Sequence, residues 1–380
     1  MIERILLSRA HVTDLEEGLV LEAVRSGWVA PLGPFVDRFE QEVADRVGVS
    51  GALALSSGTA ALHLALLDVG ARQGRTVVLP SMTFAATANA VLYTGATPAF
   101  VDSQASDSNV DVPLLIHAVD TLREDGADIA CVLPVDLFGR CVDYSLLEPA
   151  MAERGIPVIE DAAESLGASH AGDAAGSFGR SAALSFNGNK IMTTSGGGML
   201  LSHDDDIIAR ARYLSTQARQ PHPWYEHTEM GFNYRMSNIL AALGVGQLAR
   251  LDEMIARRRA HREQYAAAFA DLEGVRLLGR SDERSDAEDN CWLTCAVLDD
   301  GLGVTPEAVM ATLDSHGIEA RHLWKPMHLQ PLYSGARMFD TGVSADLFEH
   351  GVTLPSGSEL SSEAIERVIE AFRSAMGHSP

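Results

Sequence analysis

At 380 residues and 46% hydrophobic, the chain can fill one large core and part of a second, which excludes a disordered chain and predicts two domains. Its formal net charge of −23 excludes nucleic acid or an anionic membrane as a general partner, since both need a positive face. An anionic ligand would have to meet a local pocket.

Taken in chain order, Met1 to Leu7 meets Ser8 and Arg9 before an apolar signal core can form. No later stretch approaches the roughly 20 apolar residues that a membrane span requires, so a cytoplasmic location is expected. Ser56-Ser57-Gly58-Thr59 then runs into the strong helix former Ala60 to Leu66. A small polar loop opening a helix offers free backbone N–H groups and the positive end of the helix dipole, which suit a phosphate. A plain serine-capped helix is the competing reading.

Short apolar runs at 77–79, 98–101, 130–134, 157–159, 182–186 and 198–201 alternate with helical stretches and predict strands of a mostly parallel sheet. Ligands gather beyond the carboxyl ends of such strands, where Asp102, Asp136, Asp161 and Lys190 fall. From 237 to about 272 the apolar spacing predicts one long connecting helix, with Arg257, Arg258, Arg259 and Arg262 on a solvated face. A charged loop over 281–290, a strand over 291–298, a helix over 306–316, a strand near 318–323 and a helix over 362–376 predict a small α+β domain. Cys131, Cys141, Cys291 and Cys295 lack metal-ligand spacing; on one extended strand the last two would lie roughly 13 Å apart, so all four are read as reduced. The histidines are scattered, with His222 and His227 in a Pro-rich loop, and no metal is expected.

Of the 29 basic residues only Lys190 and Lys325 are lysine. A guanidinium stays protonated, whereas an amine can be desolvated and attack a carbonyl, so Lys190, at the end of Ser185-Phe186-Asn187-Gly188-Asn189-Lys190, reads as chemistry. Asp161 in Ile159-Glu160-Asp161 ends a strand where a carboxylate needs a cation, and a pyridinium nitrogen would serve; a helix cap or an ion pair would also explain it. Phe84 follows another strand, where it could stack on a flat ring or pack in the core. A phosphate cradle, a stacking ring, an acid for a ring nitrogen and an amine for an aldehyde form the set that pyridoxal phosphate needs.

These segments occur in the order SSGTAALHLAL, LPSMTFAATANAVLYTGATPAFVD, PVDLFGR, VIEDAAESLGA, GSFG, SFNGNK, SGGGM, GFNYRMSNI and RHLWKPMHLQP, preceded by Gly27-Trp28, Gly33 and Phe39-Glu40. Together they resemble the DegT/DnrJ/StrS family of nucleotide-sugar aminotransferases almost end to end. The resemblance implies an α/β protein of the aspartate-aminotransferase type (fold type I). A large domain over 12–250 would bind pyridoxal 5'-phosphate on a mostly parallel sheet, a small α+β domain would span 251–380, and residues 1–11 would pack with either.

By the same resemblance Lys190 would join the aldehyde as a Schiff base and shuttle the proton. Asp161 would bind the pyridine nitrogen and Phe84 would stack on the ring, with Asn187 among the cofactor-binding residues. Glu164 would approach the phenolic oxygen, a place where many relatives have an amide. Ser57, Gly58, Thr59 and Ser185 would hold the phosphate. Asn233 would reach the phosphate bound in a partner subunit, making the working unit a homodimer with shared active sites. Trp28, Arg235, Trp324, Lys325 and His328 would line the substrate entrance, with plain surface-loop residues as the competing reading.

A lysine in SFNGNK separates transaminases from relatives that carry histidine there and act as sugar dehydrases. The implied reaction is a two-stage ping-pong transfer from L-glutamate to a keto-deoxysugar nucleotide, with C4 favoured over C3 and UDP over GDP or dTDP. A cyclitol or ketone intermediate of antibiotic synthesis is the rival substrate. A regulatory protein that binds the cofactor without turnover is the rival class, against which Lys190 together with Asp161 speaks.

Overall fold

A computed structural model describes residues 4–280 and 286–377. Helices α1 (Asp14–Ser26) and α2 (Pro34–Val47) lead to β1 (Gly51–Leu55), α3 (Gly58–Asp68), β2 (Arg75–Pro80), α4 (Ala85–Tyr93), β3 (Thr97–Val101), α5 (Val112–Glu124), β4 (Asp128–Val132), α6 (Tyr144–Arg154) and β5 (Ile159–Asp161). A small hairpin of β6 (Ser169–His170) and β7 (Asp173–Ala174) precedes β8 (Ser181–Ser185), β9 (Gly198–Ser202), α7 (Asp205–Ser215), α8 (Asn238–Ala249) and α9 (Leu251–Phe269). The rest comprises β10 (Val275–Leu277), β11 (Thr294–Leu298), α10 (Pro306–Ser315), β12 (Arg321–His322), β13 (Arg337–Phe339), α11 (Val343–His350), β14 (Gly351–Leu354) and α12 (Ser362–Ala375).

The strands form one large sheet in the order β1-β9-β8-β5-β4-β2-β3-β13, its two halves joined by parallel bridges from Val132 to Val158 and from Val135 to Asp161. Only β9 runs against its neighbours, so the sheet is mostly parallel. Parallel strands are covered on both faces and read as unbroken apolar runs, and Val77, Val78 and Leu79 of β2 are fully buried. A second, antiparallel sheet in the order β10-β11-β14-β12 packs on α9, α10 and α12. Between β12 and β14 the chain returns to the large sheet, where β13 pairs with β3.

Three sequence expectations are corrected. The arginines expected on a solvated face turn inward, Arg258 and Arg262 being buried with their guanidiniums donating to the carbonyls of Trp292 and Leu278. The single helix expected over 237–272 is two, because Arg250 leaves helical geometry (φ −109°, ψ 4°). Its guanidinium is drawn to Glu16 at 3.0 Å and to the His11 carbonyl at 3.2 Å, and the two halves serve different neighbours: Ala241, Ala242 and Val245 pack in the large core, while Tyr265 and Phe269 pack under the small sheet. The strand expected over 291–298 starts at Thr294, since Cys291 has a positive φ of 55° and lies outside the ladder. All four cysteines are buried, and none is joined in a disulfide. The expected charged loop at 281–290 lies partly outside the described residues. Among the described residues no helix is long and apolar enough to cross a membrane.

Candidate active site

The carboxyl ends of β1, β2, β4, β5 and β8 converge on a cavity of about 330 Å³. It is lined by every residue expected at the cofactor except Asn233. Each reaches the cavity for a local reason. Ser57 caps α3, accepting from the Ala60 N–H at 3.1 Å, which leaves the N–H groups of the first turn directed at the space. That turn packs hard on β8: a Cβ on Gly58 would lie 3.0 Å from the Ser185 Cβ and 3.2 Å from the Leu184 carbonyl oxygen, so glycine is what admits Ser185 beside the helix end. Phe84 sits at the start of α4, 55% exposed, with its ring edge toward Trp324 at 5.9 Å between centroids.

Asp161 ends β5 in full burial. Its carboxylate accepts from the Thr87 hydroxyl at 2.7 Å and the Ala163 N–H at 3.1 Å. Burial lifts its pKa to about 6, against the pull of these two donors and of the Lys190 charge. Thr87 is itself held by Thr83, hydroxyl to hydroxyl, at 2.9 Å. Lys190 Nζ donates to Glu164 Oε1 at 3.2 Å, with only 10% and 3% of the two side chains exposed. Glu164 Oε2 accepts from the Phe138 N–H at 2.9 Å. The amine also lies 4.3 Å from the ring centre of Trp292.

The substrate-entrance residues lie outside this lining. Trp324 stacks on Phe138 at 5.7 Å and borders the cavity through Phe84. The His328 ring is 2.7 Å from the Ser81 hydroxyl, and Lys325 is exposed. Trp28 is 51% exposed, its carbonyl accepting from Asn238. Arg235 is buried against Glu40 at 3.1 Å, a carboxylate it shares with Arg212. Asn233 is exposed beside Thr216. Sequence reasoning missed Thr87 and Trp292. Thr83 and Thr87, four apart at the start of a helix, carried a readable signal; Trp292, a hundred residues from Lys190, carried none.

The residues fit pyridoxal 5'-phosphate. A fully buried carboxylate whose hydrogen-bond donors are both neutral matches a protonated ring nitrogen, and the amine, the helix end and the exposed Phe84 ring match the aldehyde, phosphate and ring face. Among the described residues no group of three His, Cys, Asp or Glu could hold a metal.

Comparisons with known proteins bear on the same point. Residues 11–373 match the model of the DegT/DnrJ/EryC1/StrS aminotransferase family. The chain is 45% identical over 376 residues to EpsN of Bacillus subtilis, which carries the name of a pyridoxal phosphate-dependent aminotransferase, covering 98% of this chain and 96% of that one. It is 37% identical over 377 residues to a GDP-perosamine synthase of Caulobacter vibrioides, covering 98% of each. Among solved structures it is similar to the PLP form of Spr1654 from Streptococcus pneumoniae, named as a sugar aminotransferase, with a TM-score of 0.90, 26% identity and coverage of 98% and 99%.

Proposed function

Because the chain belongs to the DegT/DnrJ/EryC1/StrS aminotransferase family and is a pyridoxal phosphate-dependent sugar aminotransferase, we propose that it moves an amino group from L-glutamate to C4 of a keto-deoxysugar nucleotide. The observation that carries this reading is the pairing, in one cavity, of a buried amine on Lys190 with a buried carboxylate on Asp161 that burial holds near 6. Such a pair suits proton movement beside a cationic ring.

When bound, the cofactor supplies an aldehyde for amine chemistry and an electron-withdrawing ring. Asp161 would hold the proton on the ring nitrogen, steadied by Thr87. Ser57, Gly58, Thr59 and Ser185 would hold the phosphate, Asn187 would line its approach and Phe84 would cover the ring. Lys190 Nζ would take the proton from the α-carbon of the amino donor in the first stage and handle the sugar C4 proton in the second. Glu164 orients that nitrogen.

The likeness to a GDP-perosamine synthase supports a sugar nucleotide aminated at C4. The SFNGNK and RHLWKPMHLQP motifs favour C4 as well; UDP is the nucleotide proposed, with GDP as the reading favoured by that relative. A homodimer with shared sites is part of the proposal. Asn233 and Arg235 lie away from the cavity of their own chain, and Trp224, Tyr225 and Met230 nearby in sequence are 59%, 79% and 78% exposed, as a surface awaiting a second copy would be. In that dimer Trp28, Trp324, Lys325 and His328 would meet the nucleotide sugar, while Arg235, its guanidinium held by Glu40, would brace the interface behind them.

The test is mass spectrometry of products from UDP-, GDP- and dTDP-linked 4-keto sugars incubated with glutamate and the purified protein. An amino sugar formed with stoichiometric 2-oxoglutarate, and absent with Lys190→Ala, is expected. No product from any sugar nucleotide, or equal product from the alanine variant, overturns the reading.

A further inference from the structure

We propose that Trp292 is a positioning residue for Lys190, fixing both the backbone that carries the lysine and the seat of its amine; this deepens the transaminase reading and rests on it. Trp292 is fully buried and belongs to the segment that enters β11, far from SFNGNK in sequence. Its indole N–H donates at 2.7 Å to the carbonyl of Asn189, the residue before Lys190. The Ser8 hydroxyl donates to that same carbonyl at 2.8 Å. Arg258, itself buried, closes the circuit by donating to the Ser8 hydroxyl at 3.1 Å and to the Trp292 carbonyl at 2.7 Å. The peptide that starts the lysine is thus held from the N-terminal segment and from the C-terminal part of the chain at once.

The same segment also sets the amine. Asn290 Oδ1 accepts from the Trp292 N–H at 2.8 Å, while its Nδ2 donates to the carbonyls of Glu164 at 2.8 Å and Leu166 at 3.0 Å. This locks the indole to the turn that bears Glu164. The approach is close enough to demand Gly139 opposite: a Cβ there would lie 2.0 Å from Asn290 Oδ1 and 2.9 Å from the Trp292 nitrogen, at a φ of +99°. Nζ then lies 3.2 Å from Glu164 Oε1 and 4.3 Å from the indole centre.

A ring face attracts an ammonium, and a carboxylate oxygen accepts its hydrogen bond. The seat therefore holds Nζ while it carries a proton, after removal from the donor carbon in the first stage and before delivery to the sugar carbon in the second. Losing the seat leaves a long flexible side chain to find its position at each turnover. That slows proton transfer and leaves substrate binding unchanged.

Because the chain has only two lysines, protein grown on lysine labelled with carbon-13 at Cε gives two ε-methylene signals. In cofactor-free protein the Lys190 signal should be displaced upfield by the indole ring current relative to Lys325. Trp292→Phe should keep part of that displacement and Trp292→Leu should abolish it. In steady-state kinetics, kcat should fall several-fold in Trp292→Phe and by about a hundredfold in Trp292→Leu. KM should stay within about twofold, and the isotope effect from 2-deuterated glutamate should rise as proton transfer becomes limiting.

Ser8→Ala, which removes one donor from the Asn189 carbonyl, should lower kcat two- to fivefold at unchanged KM. If Trp292→Leu does not fold, Trp292→Phe and Ser8→Ala decide the matter. Folded variants with the wild-type kcat and isotope effect, or coincident lysine signals in the unmodified protein, overturn the proposal. An unmodified protein that displaces the Lys190 signal yet transfers no amino group overturns the transaminase reading and leaves the seat standing.

Discussion

Asp102 and Asp161 stand at the carboxyl ends of two strands of one sheet, both buried, and the sequence places them alike. Their partners differ. Asp102 accepts from the N–H groups of Ser103, Thr341, Val343 and Ser344 and from the Thr341 hydroxyl, at 2.8 to 3.0 Å, and so fastens the start of α11 to β3. Burial by itself would raise its carboxyl, but these donors outweigh it and hold the group well below the usual carboxylate range. Asp161 has two donors, and burial wins, lifting it to about 6. Asp136, at the next strand end, is raised by burial beside an equally buried Glu160. The fold satisfies Asp102 and makes it structural, whereas Asp161 faces the cavity with two neutral donors and is ready for a cation.

Removing the Asp161 charge should have the largest effect. Asp161→Asn should lower turnover by about a hundred- to a thousandfold, the scale of losing one preorganised electrostatic contact. The same change should stabilise the cofactor-free protein. Asp161 goes from an ordinary 3.8 to about 6, so the native state binds a proton that the unfolded chain has released across that interval. Its contribution therefore opposes folding increasingly from pH 3.8 to 6 and fully above. At pH 7 the asparagine variant should gain on the order of 1–3 kcal/mol in urea unfolding. A destabilised variant would place Asp161 with Asp102 and break the contrast.

Asp102→Asn should do the reverse. The stability that Asp102 contributes is present above its ordinary range and lost as pH falls through its depressed value, so at pH 7 the variant should lose about 2–3 kcal/mol while the folded fraction keeps its kcat. A drop in kcat without loss of stability would mean that Asp102 also serves the cavity.

The smallest effect sharpens the contrast at a single donor. Thr87→Val removes the 2.7 Å bond to Asp161, so the carboxyl should rise further. Cofactor affinity, which should weaken as pH falls through about 6 in the unmodified protein, should then weaken at a higher pH, with a several-fold loss near pH 7. Fluorescence titration of cofactor binding across pH 5 to 8 reads this shift, and coincident curves would remove Thr87 from its role.

Much of the site was legible because its parts are local. A serine loop before an apolar helix, an acid at a strand end and a lysine in a turn between strands are each written within a few residues, and a parallel sheet gathers strand ends whatever lies between them. The break at Arg250 was not legible, since it follows from Glu16 and His11, more than 200 residues away. Nor was the placement of Arg235, whose guanidinium is claimed by Glu40 from α2.

By itself the sequence determined the alternation of strands and helices, the cofactor chemistry and the residues at the strand ends, because periodicity, capping and strand-end position are short-range properties. Only the tertiary structure decided which aspartate is satisfied and which is left wanting, and that a tryptophan from the far end of the chain grips the lysine. Hydrogen-bond partners and ring faces brought from distant segments set the charge and place of a buried group, and no local pattern records who those partners are.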